Sequence, residues 1–446
     1  MKLTTALGIK RGDSLAFVGA GGKTTAMFAL AREINATVML TTTTHLGSWQ
    51  AGLADEHLII HSADEIRAID VRDKKIWLLT GPAGGDQRLR SLDQDSLETL
   101  NLFCQIRQLP LLIEADGACQ RNLKAPEAYE PVIPYWVDHV VVLAGLAGLG
   151  QPLRDDFVHR PEQFSKLTGL PLGNPIQIED LIKMLAAKKG GLQGIPEGCK
   201  KLLFLNQAEG ANLQAAGARI ARELMGCYDR ILVGSLKQPG PKGKIFAVHS
   251  QTAGVILAAG GSERLGTPKQ LLKWGGEPYI LQVVKTAQAA GLSPIIVITG
   301  ADHQAITDIL RGYSVQVIQN PNWRTGQSTT MKMGIKVLPE AVDSVVFLLS
   351  DQPQISPLLI RALIETRFVS RRPIIGPIAA GKRCNPVLFG RETFNGLMEV
   401  SGDIGGRALF NQFPAEWVPW IDSRIKLDVD LPGDEDVLWD SYFNIS

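Results

Sequence analysis

Two apolar segments of this chain end abruptly in glycine-rich, cationic loops. "SLAFVGAGGKTTAMFAL" runs from Ser14 to Leu30, and "GVILAAGGSERLGTPKQLL" from Gly254 to Leu272. A short β-prone run, broken by glycines and followed by a helical pattern, is the opening unit of an α/β layer fold. Glycine lets backbone N–H groups come close to an anion, and successive N–H groups form a concave nest. Two such units call for two α/β layers, and 446 residues predict two or three domains.

The alternation continues after each loop. Strand "TVMLTTTT", buried strands "LPLLIEADGA" and "DHVVVLAGL", strand "KKLLFLNQAEG", helix "AAGARIARELM" and strand "DRILVGS" follow the first. Helix "PYILQVVKTAQAAG", strand "SPIIVITG", helix "HQAITDILRG" and strands "SVQVIQN" and "DSVVFLLSD" follow the second. Between them "LKQPGPKGK", Leu236 to Lys244, packs two prolines, two glycines and three lysines into nine residues, which reads as a linker. The expectation is an α/β protein of two domains, residues 1–245 and 246–446. The first is P-loop-like.

Net charge is +1 with both signs mixed, which argues against a broad nucleic-acid surface or a polybasic membrane surface. No apolar run is long enough to span a bilayer and no signal core opens the chain, so a cytoplasmic location is expected. The five cysteines, at 104, 119, 199, 227 and 384, contain no CxxC and form no disulfide framework. His57 and His61 fall on one short strand, about 13 Å apart, too far to share a metal.

In the second loop the strand ends in Gly260, Gly261 and Ser262, and Arg264 and Lys269 follow. The spacing is neither GxxxxGK[ST] nor GxGxxG. Taken alone, the same residues are accounted for equally by a strand-to-loop turn with two solvated cations. "VVFLLSDQP" places Asp351 just past a very apolar strand, where ligand sites of open α/β sheets lie, and Mg²⁺ favours one or two carboxylates plus substrate phosphates. "LDVDLPGDED" offers Asp428 and Asp430 on one face of an extended segment, and "SGDIGGR" is a third glycine turn with a carboxylate.

"LAAGGSERLGTPKQLL", "DQP", "NPVLF", "GDIGGR" and "DVDLPGD", in that order over residues 252–440, resemble the signature series of the molybdenum cofactor cytidylyltransferases. The resemblance implies a Rossmann-like nucleotidyltransferase domain. It implies nucleotide contacts from Leu257, Ala258, Ala259, Gly260 and Gly261, and from Ser328 in "NWRTGQSTTMKMGI". Arg264 and Lys269 would hold phosphates, and Asp351 with Asp430 would hold Mg²⁺. "LAAG" resembles the cytidylyl branch, which implies CTP as substrate and a molybdopterin-type cofactor as acceptor. Leu431 and Gly433 depart from the family pattern and leave open which of Asp428 and Asp430 meets the metal.

The first loop supplies Gly19, Gly21, Gly22, Lys23, Thr24 and Thr25 between strand and helix. Lysine and threonine at a helix start are P-loop chemistry: N–H groups cradle phosphates, lysine neutralises them and threonine reaches Mg²⁺. A full GxxxxGK would need a glycine where Phe17 stands, so the loop resembles the shortened form of the Mur ligases. "TTTTHLG" ends a strand in four hydroxyls and His45. "IEADG" ends another in Glu114 and Asp116, which resembles a Walker B position and makes both candidate metal ligands. "VGAGGKTT", "TTTTHLG", "EADGACQRNLKAPEAYEPVIP", "LAGLAGLGQPL" and "VHRPE" together resemble the YqeC-type accessory proteins of selenium-dependent molybdenum hydroxylases. Arg121, Lys124, His159 and Arg160 fall in its polar motifs, while Cys119 stands where that family commonly has Lys.

Together these resemblances imply a fusion. A cytidylyl-transferring half is joined to a half that binds ATP or another nucleotide and serves a molybdenum hydroxylase client. A nucleotidyltransferase for a sugar or alcohol phosphate, and a non-catalytic, nucleotide-gated cofactor carrier, are the competing readings.

Overall fold

The computed structural model describes residues 2–443 apart from 72–73, 83–87, 237–243, 263–264, 340–341, 428 and 430–432. The chain divides into two compact units, Met1–His249 and Ser250–Ser446. Most of the expected linker falls outside the described residues. The strand that follows it, Lys244–Ser250, belongs to the sheet of the first unit.

That sheet has nine strands: β1 (Ser14–Gly19), β2 (Val38–Thr42), β3 (Glu56–Ile59), β4 (Ile76–Thr80), β5 (Leu111–Glu114), β6 (His139–Gly145), β7 (Lys200–Asn206), β8 (Arg230–Ser235) and β9 (Lys244–Ser250). Their order is β9-β8-β7-β6-β1-β5-β2-β4-β3, and every pairing from β8 to β3 is parallel. Central β1 is covered on both sides. Ala16 and Val18 join one core, while Leu15 and Phe17 join another with Met27 and Leu30 of helix α1 (Lys23–Glu33). Successive strand residues point to opposite faces, so a strand buried on both reads as an unbroken apolar run. In the parallel register Phe17 and Thr42 both lie opposite Glu114, which brings the carboxyl ends of β1, β2 and β5 to one edge.

The second sheet comprises β10 (Thr252–Ala258), β11 (Ile295–Thr299), β12 (Gln316–Gln319), β13 (Ser344–Leu349), β14 (Ile374–Ala379), β15 (Lys382–Arg383), β16 (Val387–Gly390) and β17 (Ala415–Pro419). Its order is β12-β11-β10-β13-β16-β14-β15, with β17 paired to β14. The first four strands are mutually parallel, and β16 runs antiparallel to β13 and β14. Helices α2 (Tyr279–Ala289) and α4 (Pro357–Ser370) pack on the face that carries Ile256 and Ala258. Helix α3 (Gln327–Lys336) packs on the face of Val255 and Leu257. The chain leaves β10 toward β11 and β12, then returns on its other side as β13. Ligands of open α/β sheets bind at such a reversal, beyond the carboxyl ends of the strands.

At the end of β1, Gly19 has φ +89°, and a Cβ there would stand 2.3 Å from the Leu143 carbonyl oxygen on β6. Both the left-handed backbone and the neighbouring main chain exclude a side chain. Gly19→Ala is expected to destabilise the first unit by about 2 kcal/mol or more, read as a lowered urea midpoint of the full chain. An unchanged midpoint would show that this strand end is looser than described.

Candidate active site

In the second unit the loops after β10 and β13 are neighbours, because Leu257 lies opposite Leu349 in the parallel register. Between them opens a cavity of about 740 Å³. Leu257, Ala259, Gly260, Gly261, Lys269 and Asp351 line it, as does a second group comprising Trp323, Arg324, Gln327 and Asp403. Two side chains hold the glycine loop in shape. The Lys269 N–H donates to Ser262 Oγ at 3.0 Å, and Gln270 Nε2 donates to the Gly260 carbonyl at 3.0 Å. Lys269 Nζ lies 3.7 Å from Asp351 Oδ2, so the loop's cation and the carboxylate of β13 share one wall. Gly261 passes so close to the Trp323 ring that a Cβ would come within 2.8 Å of it.

The opposite wall is the start of α3. Asp403, from the "SGDIGGR" turn, accepts from the Gln327 N–H at 2.9 Å and so caps that helix. Arg324 lies over the Trp323 ring, 4.7 Å from its centroid, and stands exposed at the cavity.

Six of the nucleotide and catalytic residues expected from sequence therefore meet in one cavity. Ala258 and Ser328 do not line it. Ala258 is buried in the core, and Ser328 is buried with its N–H donated to the Gly402 carbonyl. Arg264 and Asp430, with Asp428, lie outside the described residues. Trp323, Arg324, Asp403 and Gln270 were not singled out from sequence as site residues. The motifs "NWRTGQ", "SGDIGGR" and "PKQLL" contained them, but only the fold shows that they face one another.

The first unit gathers its candidates differently. Lys23 and Lys124 are 5% and 3% exposed and both contact Asp116: Lys23 Nζ lies 2.9 Å from Oδ1, and Lys124 Nζ 3.0 Å from Oδ2. Lys23 Nζ also donates to the Gly19 carbonyl at 2.6 Å. Three of the loop's N–H groups are bonded within the chain: Gly19 to Asp116 Oδ2 at 2.9 Å, Ala20 to the Leu143 carbonyl, and Gly21 to the Arg121 carbonyl. A carboxylate of the chain itself thus sits at the Gly19 end of the loop. Thr24 Oγ1 donates to Glu114 Oε2 at 2.9 Å and accepts from Gln50 Nε2. Thr25 is exposed, and Gly22 approaches the side chain of Asn206. Burial pushes the Glu114 carboxyl up, only partly opposed by the Lys23 charge and the Thr24 hydrogen bond.

Thr41, Thr42 and Thr43 each donate their hydroxyl to a backbone carbonyl, of Leu79, Glu114 and Val132 respectively, and His45 is exposed on a separate strand. The basic residues continue the network. Lys124 Nζ lies 2.8 Å from Glu130 Oε2, and Arg160 grips Glu130 through two nitrogens at 2.5 and 3.1 Å. His159 is held below its ordinary value by burial and by the Arg160 and Lys124 charges.

Both sites sit where α/β folds handle phosphates, and comparison with known proteins gives the domain classes. Residues 15–162 match the YqeC protein family, and residues 254–417 match the MobA-like NTP transferase domain. The chain thus carries a YqeC domain followed by a nucleotidyltransferase domain of the MobA-like class. YqeC of Escherichia coli (strain K12) is 29% identical over 207 residues, covering 44% of this chain and 77% of that protein. Nicotine blue oxidoreductase of Paenarthrobacter nicotinovorans is 25% identical over 195 residues, covering 41% of this chain and 90% of that protein. The 3-deoxy-manno-octulosonate cytidylyltransferase of Nitrosococcus oceani is 29% identical over 175 residues, covering 37% of this chain and 61% of that protein.

Partial burial would raise the pKa of Glu130, but Arg160 and Lys124 outweigh it and hold the carboxyl down, from 4.5 to about 2. A depressed acid stabilises the fold above its unfolded pKa and ceases to do so as pH falls through its folded one. Glu130→Gln should therefore lower the melting temperature at neutral pH. The gap to the parent should narrow as pH drops from 4.5 toward 2. A gap that stays constant over that window would refute the network's role.

Proposed function

We propose that the C-terminal domain transfers a cytidylyl group from CTP to a molybdopterin-type cofactor with release of pyrophosphate. The N-terminal domain binds ATP or another nucleotide in support of that maturation, for a molybdenum hydroxylase client. The observation that carries the reading is the convergence of the glycine loop, Lys269 and Asp351 on one cavity at the sheet's reversal point. The cytidylyltransferase among the similar proteins and the "LAAG" of residues 257–260 support CTP as donor.

Among the described residues no three His, Cys, Asp or Glu side chains form a metal cage. Mg²⁺ needs none here, since one or two carboxylates with substrate phosphates satisfy it, and Asp351 on the cavity wall fits that use. Asp351 would hold the ion, with Asp430 as the second carboxylate the sequence offers. When bound, Mg²⁺ neutralises charge on the triphosphate.

The chain's own residues do the rest. Gly260 and Gly261 let the backbone approach the phosphates, and Lys269 supplies positive charge where it accumulates. A terminal phosphate oxygen of the acceptor bonds to the α-phosphorus as the bond from that phosphorus to the bridging oxygen breaks. The electron pair leaves with pyrophosphate. Little covalent work falls to the protein, so orientation and charge dominate. In the N-terminal domain Lys23 and Thr24 would serve phosphates, and Glu114 with Asp116 a metal ion. Glu114 must be ionised to bind one, against its raised pKa.

Purified protein with Mg²⁺ and molybdenum-loaded pterin should release pyrophosphate with CTP and not with GTP or ATP. Asp351→Ala should abolish release, and Lys269→Ala should lower turnover roughly 10²–10³-fold. Release with none of the three nucleotides would defeat the transferase reading for this acceptor and favour a cofactor carrier. Release only with a sugar or alcohol phosphate as acceptor would reassign the substrate.

A further inference from the structure

The turn that carries Asp351 is anchored at several points. The Ser350 N–H donates to the Leu257 carbonyl at 3.3 Å, Ile355 is buried in the core, and Ser356 caps α4 by accepting from the Leu359 N–H. Gln354 adds an anchor of another kind. It is 7% exposed, and its Nε2 donates to the Leu427 carbonyl at 2.7 Å, 73 residues away in sequence. Two positions beyond the acceptor, Val429 is wholly buried against Trp274, Tyr279 and Leu438.

The anchor carries a cost beside its bond. Among the described residues the other amide atom, Gln354 Oε1, is buried with no protein partner. Such an orphan costs free energy that an apolar side chain of the same length would avoid. The amide cannot simply be flipped, because the Leu427 carbonyl requires a donor. Leu427 is only half-buried, so water can reach its carbonyl if the donor is removed.

We propose that Gln354 is a positioning residue for Asp351: it ties the turn to the Leu427 carbonyl and so fixes the direction in which the carboxylate meets a divalent cation. The proposal rests on the assignment of Asp351 to the metal. Groups that orient a metal ligand without touching the metal commonly alter affinity by 10–100-fold.

The test uses the full chain, CTP and Mn²⁺, with binding read by water-proton relaxation. Gln354→Met should weaken Mn²⁺ binding about 10-fold. Its melting temperature should stay equal or rise, and the CTP KM at saturating Mg²⁺ should stay within about twofold, as expected of a group acting through the ligand alone. Raising Mg²⁺ should restore pyrophosphate release. Gln354→Asn, one methylene too short to keep the bond to the Leu427 carbonyl, should weaken Mn²⁺ in the same direction and decides the matter if Gln354→Met fails to fold. Unchanged Mn²⁺ affinity in the folded Gln354→Met variant, or in Gln354→Asn if the other does not fold, overturns the proposal. If Asp351→Ala also binds Mn²⁺ as the parent does, the metal assignment falls instead.

Discussion

A strand covered by helices on both faces cannot carry polar side chains along its length, because a buried polar group without a partner costs several kcal/mol. This constraint governs both domains. After their first residues, Ser14 and Thr252, β1 and β10 carry no polar side chain, and their apolar residues are divided between two cores. Chemistry is therefore displaced to the carboxyl ends, where backbone N–H groups emerge and loops can carry charge. Gly19 and Gly260 stand at that point, and so do Glu114 at the end of β5 and Asp351 beyond β13. The parallel registers bring these ends to common edges.

The same sequence grammar gives two different sites. The loop after β10 opens on a large cavity, with its lysine and nearest carboxylate partly exposed. The loop after β1 is partly closed by its own chain: the Gly19, Ala20 and Gly21 N–H groups are bonded, and Asp116 sits between two buried ammonium groups. An anion that is to meet the Gly19 N–H or either lysine has to compete with Asp116. The polar motifs that hold Arg121, Lys124, His159 and Arg160 read, from sequence, as a basic pocket for an anionic ligand, and Lys23 stands in the loop beside them. Lys124 and Arg160 contact Glu130, and Lys23 and Lys124 contact Asp116.

How much of this was legible follows from what each signal measures. Strand and helix patterns depend on local periodicity, so the α/β layers and the two loops could be read directly. Lys269 and Asp351 were legible because each lies at a strand end or just beyond a glycine turn. Trp323, Arg324 and Asp403 were not, since their role depends on "NWRTGQ" and "SGDIGGR" facing each other across a cavity, which no local pattern encodes. The Gln354–Leu427 bond was equally hidden, because nothing in either segment marks the other. The fate of Thr41, Thr42 and Thr43 shows the converse. Of the four adjacent hydroxyls at that strand end, three donate to backbone carbonyls; for Thr41 and Thr42, which are buried, such a partner is required.

The two lysine–aspartate pairs also differ in what a ligand must overcome. Lys269 and Asp351 are 3.7 Å apart and reached by water, and such pairs are worth about 1 kcal/mol or less. Under the function proposed above, phosphate oxygens recruit Lys269 at little cost, and Asp351 turns to the cation. Lys23 and Asp116 are 2.9 Å apart and nearly sealed from solvent. Separating a buried pair leaves an uncompensated charge, at a cost of about 3–5 kcal/mol, unless the ligand brings a charge of its own. Opening the first pair therefore costs more than opening the second. Under the function proposed above, an anion reaching the first loop has to bring a cation for Asp116, whereas the second loop makes no such demand.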